Sequence, residues 1–294
     1  MSNNIVPTLS TWLQVWLESH SHNVQETTAQ NYADICKLIE KWLPDRPLDG
    51  LREMEAQKTL NLLADIGYSR STLRIFRIVL NKAYEWAARN QLIAENPIRF
   101  VTIPRNASEK EVFPLTPEQQ ERLEAVCRDD MHGDLFLFLL YTGLRRAELC
   151  NLKWRDFDAQ KRCIHIRKSK TAAGIRTVPL LPLPLSLLHL QPRINEYIFN
   201  SSRTHKPVTS YVLRRTYMRL REKAEIPELT NHVCRHTFAT RLLEKGVEPK
   251  AIAALLGHTN VAFTLNRYVQ AQPDYLTEQI FRLEPLAAFP PPIA

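Results

Sequence analysis

Apolar side chains recur every three or four positions through the first part of the chain. This spacing is typical of amphipathic helices that turn one apolar stripe towards a core. Four segments carry it: TLSTWLQVWLESH, ETTAQNYADICKLIEKWL, MEAQKTLNLLADIG and SRSTLRIFRIVLNKAYEWAARNQ. The sequence therefore predicts a helical N-terminal domain over residues 1–100.

The last of these segments separates basic and apolar positions into two stripes. Arg70, Arg74 and Arg77 share one stripe, and the other contains Leu73, Phe76, Leu80 and Tyr84. A basic stripe of this kind can lie against a polyanion such as DNA. A helix with a merely solvated basic face has the same pattern, so both interpretations stay open.

Periodicity is lost in the middle of the chain and returns in a second domain. The stretch 95–119 contains four prolines and a charge cluster, and we assign 101–115 as a linker before a domain over 116–294. Thr116 followed by Pro117 predicts the start of a helix. A buried helix is expected to end near YTGL at 141–144.

The periodicity then changes from that of a helix to that of a strand. Ile164 and Ile166 alternate with His165 and Arg167, and the segments CIHIRKSK and IRTVPL flank the short turn TAAG. These features predict a β-hairpin, and the pattern returns to helix after about residue 208. The predicted fold class is mainly α with a small antiparallel β-sheet.

Composition narrows the class of protein. The 294 residues are 44% apolar, enough for one large or two ordinary domains. The longest apolar stretches, such as LFLFLLYTGL, are shorter than the roughly 20 residues that span a bilayer. The N-terminus lacks a secretory pattern, and the five cysteines include no CxxC pair. We expect a soluble cytoplasmic protein with reduced thiols.

The net charge of +8 is unevenly distributed. Residues 1–104 contain 11 Lys/Arg and 11 Asp/Glu, whereas residues 153–223 contain 16 and 4. A long basic segment inside a folded region indicates a polyanionic partner, and nucleic acid is the usual one.

Several side chains suited to phosphate chemistry gather near the C-terminus. His232, Arg235 and His236 have i, i+3, i+4 spacing, so on a helix capped by Thr230 or Asn231 they share one face. Pro249 and Gly257 bound a further predicted helix, followed by His258 and then Tyr268. Arginine binds phosphate oxygens bidentately, histidine transfers protons near neutral pH, and tyrosine can act as a nucleophile.

Two other functions can use parts of this segment. A zinc hydrolase would use the histidines, but HVCRH is not HExxH and places an arginine inside the metal pair. A helix-turn-helix DNA-binding regulator fits PKAIAALLGHTNVAFTLNRY in length and central glycine. The regulator does not account for the basic motifs farther upstream.

Three motifs together resemble the tyrosine recombinase, or phage integrase, family. They are TGLRRAELCNLKW, HVCRHTFAT and LLGHTN…RY, and the resemblance covers roughly residues 112–285. It implies a site-specific DNA recombinase of the compact two-domain type, a C-shaped clamp around DNA that forms a 3′-phosphotyrosyl intermediate without metal or cofactor. A type IB topoisomerase would share the chemistry and is an alternative beside the helix-turn-helix regulator.

The resemblance also implies the roles of individual residues. Arg145 and Arg235 would hold the phosphate, and Tyr268 rather than Tyr275 would be the nucleophile. His232 would act as general base or orienting group, and His258 would donate a hydrogen bond to the phosphate.

The proton donor and the remaining basic residues are less clearly assigned. Lys170 would protonate the leaving 5′ oxygen, with Lys168 as the alternative because the hairpin register is open. Lys168 and Arg146 are otherwise candidates for backbone-phosphate contacts. His236 and Glu148 are expected to be structural, with Glu148 hydrogen-bonded within its domain.

The chain continues beyond Tyr268 with a short apolar stripe formed by Leu276, Ile280, Phe281 and Leu283. In the family that the chain resembles, such a C-terminal helix docks into a neighbouring protomer. A homotetramer on DNA is therefore expected, although a helix that packs on its own domain would show the same stripe.

Overall fold

The computed structural model describes residues 6–109, 112–169 and 171–258. These residues form eleven α-helices and one three-stranded antiparallel sheet. The predicted fold class, mainly α with a small antiparallel sheet, is confirmed. The chain divides into two compact units, Met1–Glu111 and Val112–Ala294.

The first unit contains the four predicted helices, α1 Leu9–Ser21, α2 Glu26–Trp42, α3 Glu53–Asp65 and α4 Arg70–Arg89. Their apolar stripes form a single core around the buried side chains of Trp16, Phe76 and Tyr84. The hydroxyl of Ser69 caps α4 by accepting a hydrogen bond from the backbone N–H of Thr72. Leu73, Phe76, Leu80 and Tyr84 of α4 are buried in this core, whereas Arg74 of the basic stripe is exposed.

Much of the expected linker belongs to the first unit. Val101 and Ala107 are buried in its core, and two arginines of α4 hold the backbone beside them. Arg77 donates to the carbonyl of Val101 at 2.7 Å, and Arg70 donates to the carbonyl of Arg105 at 2.9 Å. The buried positions are too sparse and too close to prolines to form a periodic pattern, which is why the sequence suggests a linker here.

The second unit is built around a buried helix. Its helices are α5 Pro117–Arg128, α6 Gly133–Thr142, α7 Arg146–Cys150, α8 Pro182–His189, α9 Ser210–Ala224, α10 Asn231–Glu244 and α11 Pro249–Leu256. Nearly every side chain of α6 is buried, as the apolar run LFLFLL requires. The predicted start of α5 after Thr116 is confirmed. Helix α8 was not predicted, because its PLPLSLLH sequence combines prolines with an unbroken apolar run.

The sheet consists of β1 Phe157–Asp158, β2 Cys163–Ile166 and β3 Arg176–Pro179, in that order. The predicted hairpin is formed by β2 and β3, while β1 is too short to give a sequence pattern. Ile166 pairs with Arg176, and His165 pairs with Thr177. Because paired residues share a face, Ile166 and Arg176 point to the core side and His165 to the opposite side. Within the described ranges, no helix is both long and apolar enough to cross a membrane.

Candidate functional site

Three successive carbonyls at the end of α11 each accept a hydrogen bond from a different arginine. Arg176 donates Nε to the carbonyl of Leu255 at 2.5 Å. Arg235 donates Nη2 to Leu256 at 2.5 Å, and Arg145 donates Nη2 to Gly257 at 2.7 Å. The last carbonyls of a helix lack partners within it and carry partial negative charge. The C-terminus of α11 therefore gathers three guanidinium groups at one point.

Arg235 is more deeply buried than Arg145, the other arginine that the sequence assigns to the phosphate. It lies on α10 with 6% of its surface exposed, and its Nη1 also donates to the carbonyl of Gly143 at 2.7 Å. Gly143 ends α6 just as Gly257 ends α11. The guanidinium is thus fixed between the C-terminal ends of two helices.

Both helix ends depend on glycine. Gly143 and Gly257 have φ of +63° and +66°, the left-handed conformation that favours glycine. A Cβ at Gly143 would lie 2.5 Å from Cδ1 of Phe238, and one at Gly257 would lie 2.9 Å from the carbonyl oxygen of Ala173. A side chain at either glycine would disturb the close packing around the carbonyls of Gly143 and Gly257, which accept hydrogen bonds from Arg235 and Arg145.

Arg145 stands immediately before α7 and is only partly enclosed. Its Nη1 donates to Oε1 of Glu148 at 2.8 Å, and its backbone N–H donates to Oε2 of the same carboxylate. About a third of the side chain, 34%, remains exposed. The adjacent Arg146 is exposed, as expected for a surface charge.

Arg176 is the member of the cluster that sequence reasoning missed. Its Nη1 and Nη2 donate to the two oxygens of Glu148 at 2.9 and 2.8 Å, and its side chain is 6% exposed. The available signal was its position in β3. Arg176 lies two positions before the buried Val178, on the same face of the strand, and pairs with the buried Ile166, which marks it as an inward-facing charge.

Glu148 is the anion that links these arginines. Burial raises the pKa of its carboxyl, but the hydrogen bonds and charges of Arg176 and Arg145 outweigh burial and lower that pKa to about 2. The carboxylate is therefore ionised at neutral pH. The expectation that Glu148 hydrogen-bonds within its domain is confirmed.

His258 follows Gly257 directly and lies half-buried in the field of the cluster. Burial lowers its pKa to about 4, and the positive charges of Arg235 and Arg145 act in the same direction, followed by those of His236 and Arg176. The imidazole is consequently neutral at pH 7. A neutral imidazole still carries one N–H and can donate one hydrogen bond.

The first turns of α10 carry the other two histidines. Thr230 caps the helix by accepting from the backbone N–H of Val233 at 3.2 Å, one of the two caps that the sequence allowed. His232 is exposed and His236 is half-buried. They flank Arg235 along the helix with the i, i+3, i+4 spacing of a single face.

Of the two lysines that the sequence offers as proton donor, only Lys168 lies among the described residues. Lys168 is exposed and lines a groove of about 700 Å³ that Arg145 also borders. Lys170, Tyr268 and the expected exchange helix in the C-terminal tail lie outside the described residues.

The basic stripe of α4 serves partly within its own unit. Arg70 and Arg77 bind the backbone near residues 101–105, whereas Arg74 is exposed. Contact of this stripe with DNA stays a prediction.

Comparison with known proteins gives a consistent result across the chain. The sequence model of the phage integrase family matches residues 114–274, and that of the phage integrase N-terminal SAM-like domain matches residues 8–64. Tyrosine recombinase XerA of Pyrococcus furiosus is 31% identical over 243 residues, 77% of this chain and 80% of that protein. A XerC-like tyrosine recombinase of Caldanaerobacter subterraneus is 26% identical over 280 residues, 80% of this chain and 71% of that protein.

A solved structure shares the fold over nearly the whole chain. It is that of the Tn1549 transposon integrase in complex with a circular intermediate DNA, with a TM-score of 0.76 and 25% identity. The match covers 94% of this chain and 99% of that one.

Proposed function

The chain belongs to the phage integrase family and is a tyrosine site-specific recombinase, and we propose that it cleaves and rejoins DNA through a 3′-phosphotyrosyl intermediate. The observation that carries this proposal is the gathering of Arg145, Arg176 and Arg235 at the end of α11. The relatives are recombinases and a transposon integrase, so the regulator and topoisomerase alternatives are not favoured.

Arg145 and Arg235 would bind the two non-bridging oxygens of the scissile phosphate. A guanidinium carries five N–H donors, so the bonds that Arg145 makes to Glu148 and Gly257 fix its plane without exhausting its donors. Arg235 is fixed by the carbonyls of Gly143 and Leu256. Donors held in place before the reaction need no reorganisation as negative charge builds on the phosphate.

The proposed reaction exchanges one phosphoester bond for another. The hydroxyl oxygen of Tyr268 attacks phosphorus and passes its proton to His232, while the bond from phosphorus to the 5′ oxygen breaks. Lys170 protonates that leaving oxygen. The 5′ hydroxyl of a partner strand then attacks the phosphotyrosine, releases Tyr268 and restores a phosphodiester. Because the ester bond is conserved, no nucleotide is consumed.

His258 would donate its single N–H to a non-bridging oxygen. Its pKa of about 4 keeps the imidazole neutral at physiological pH, so it acts as a hydrogen-bond donor rather than as the acid. This leaves protonation of the leaving group to the lysine of the hairpin.

Arg176 would position this site without touching the phosphate. It binds Glu148, which orients Arg145, and it binds the carbonyl of Leu255, near His258. Its Nη1 also donates to the carbonyl of Gly174 at 2.9 Å, in the turn that leads from β2 to β3. One guanidinium thereby connects α7, α11 and the segment between β2 and β3, within which Lys170 lies in the sequence.

Covalent trapping tests the proposed function. Labelled duplexes from DNA flanking the gene, nicked near candidate sites, are incubated with the protein and separated on a denaturing gel. Wild-type protein and the matched control Tyr275→Phe should both form an adduct, and Tyr268→Phe should form none. Tight binding without an adduct on any substrate would instead support a DNA-binding regulator.

A sulfur leaving group distinguishes the two lysines. In the test substrate, sulfur replaces the 5′-bridging oxygen of the scissile phosphate. The leaving group is then a thiolate, which needs no proton donor because a thiol has a much lower pKa than an alcohol. Lys170→Ala should therefore cleave the sulfur substrate at close to the wild-type rate while failing on the oxygen substrate. If Lys168→Ala shows this rescue instead, the acid is Lys168.

We also propose assembly of four protomers on DNA through the C-terminal tail, supported by the apolar stripe that includes Leu276 and Ile280. Ile280→Asp should bind a single half-site normally but lose cooperative binding to paired sites, as measured by sedimentation of the complexes. Cooperative tetramers of this variant would contradict the proposal.

A further inference from the structure

The face of the three-stranded sheet opposite the core holds a second cluster of chemically active side chains, in which Cys163 is buried while Asp158 and His165 are half-buried. Asp158, Cys163 and His165 each offer one ligand atom, and these atoms all lie within 4.8 Å of one another. We propose that the three residues bind a divalent transition metal of the zinc class. This site is separate from the arginine cluster and does not depend on the proposed reaction.

Strand register produces this convergence. Asp158 of β1 pairs with Cys163 of β2, and His165 follows two residues later on the same face. The intervening Ile164 points to the core and is fully buried. Successive side chains of a strand alternate between its faces, so the ligands share the face opposite the core.

The measured spacing is close to that of a metal site. Sγ of Cys163 lies 3.8 Å from Nε2 of His165. Zinc–sulfur and zinc–nitrogen bonds of about 2.3 and 2.0–2.1 Å at a tetrahedral angle place the two ligand atoms roughly 3.6 Å apart. A shift of a few tenths of an ångström therefore brings both atoms onto one ion.

The other ring nitrogen of His165 also has a hydrogen-bonding partner, here a hydroxyl. Nδ1 lies 2.9 Å from Oγ1 of Thr177, the residue paired with His165 across the hairpin. When Nδ1 donates its proton to this hydroxyl, the lone pair of Nε2 faces Cys163. Such a partner orients the ring and increases metal affinity.

Charge and access are compatible with binding. A thiolate and a carboxylate together neutralise a divalent ion, and the sulfur and imidazole favour zinc or cobalt over magnesium or calcium. Oδ1 of Asp158 accepts the backbone N–H of Lys161, while Oδ2 lies 4.0 Å from the ammonium of Lys161, on a side chain that is 77% exposed. His165 is half-buried and borders the groove beside Arg145, which gives a path for entry and room for a water as fourth ligand.

Cobalt titration of the full chain tests the site. Chelator-treated protein is titrated with Co²⁺, which gives a thiolate charge-transfer band and strong visible bands in a four-coordinate site. One equivalent should bind, and Zn²⁺ should displace it. Cys163→Ser should lose the thiolate band, whereas the matched control Cys150→Ser, another cysteine of the second unit, should retain it.

Two further variants test the metal site independently of Cys163→Ser, in case that variant folds poorly. His165→Phe should lose tetrahedral binding, and Thr177→Val should bind about 10- to 100-fold more weakly through loss of the ring partner. Zn²⁺ should raise the melting temperature of the wild type and leave that of His165→Phe unchanged. A wild-type titration without a thiolate band, or an unchanged spectrum in Cys163→Ser, would overturn the proposal.

Discussion

The two units of the chain use arginine in opposite ways. On α4, Arg70 and Arg77 are half-buried and bind the carbonyls of Arg105 and Val101, and Arg74 is exposed. Arg70 also lies 3.5 Å from a Glu109 carboxylate whose side chain is 72% exposed. In the second unit, Arg176 and Glu148 meet at 2.8 Å with 6% and 7% of their side chains exposed.

This difference in burial changes what the charges can do. Exposed charges are screened by water and salt, and they contribute mainly to long-range attraction. Enclosed charges are fixed in direction, and they stay enclosed only while every partner is present. We therefore expect the first unit to influence affinity and the second to determine the chemistry.

The largest expected effect is on stability and separates the two kinds of ion pair. Glu148→Gln leaves Arg176 without its buried counter-charge and should destabilise the second unit by about 3–5 kcal/mol. The matched change Glu109→Gln breaks a surface pair and should cost about 0–1 kcal/mol. Denaturant unfolding of both variants measures this contrast, and equal losses would refute it.

The next effect is a pH dependence that arises at His258. Its pKa is lowered from 6.5 to about 4 in the folded state, so the unfolded chain binds a proton first as the pH falls. The contribution of His258 to the free energy of unfolding should be complete above pH 6.5 and should be lost progressively as the pH falls towards 4. Glu148 adds a similar loss only below pH 4.5, because its own pKa falls from 4.5 to about 2.

Melting temperatures between pH 7.5 and 5 measure the histidine contribution. His258→Gln should flatten the curve, whereas His22→Gln, an exposed histidine of the first unit, should leave its slope unchanged. A wild-type slope in His258→Gln would show that the acid sensitivity arises elsewhere.

The smallest effect concerns the exposed arginine of α4. Arg74→Ala should change the free energy of unfolding by less than about 0.5 kcal/mol. If Arg74 contacts a DNA phosphate, the slope of log affinity against log salt should become shallower by about 0.9. An unchanged slope would remove Arg74 from the DNA-binding surface.

Sequence reasoning succeeded where the pattern is local. Helices α1 to α4, the Thr116 cap and the glycine end of α11 each follow from neighbours within a few positions. Spacing singled out Arg235 and His258, and the family resemblance added Arg145 and the predicted roles of all three residues. The structure adds the reason that they gather, which is the row of carbonyls at the end of α11.

Features that depend on distant partners were not predictable. Arg176 binds a carboxylate 28 positions earlier and a carbonyl 79 positions later, and periodicity carries no information on such pairs. The Asp158, Cys163 and His165 cluster likewise depends on strand register rather than on a CxxC spacing. Packing of residues 101–109 depends on a few buried side chains that sequence alone does not distinguish.

The most direct test compares Arg235→Lys with Arg74→Ala on one duplex, measuring affinity and then the rate of covalent adduct formation at saturating protein. Lysine keeps the charge of Arg235 but loses the planar fork that spans Gly143 and Leu256. Arg235→Lys should still bind DNA, but its rate of adduct formation should fall about 10²- to 10³-fold. Arg74→Ala should bind more weakly and form the adduct at an unchanged rate at saturation. Wild-type cleavage by Arg235→Lys, or an equal loss of rate in Arg74→Ala, would contradict the assignment of Arg235 to the phosphate site.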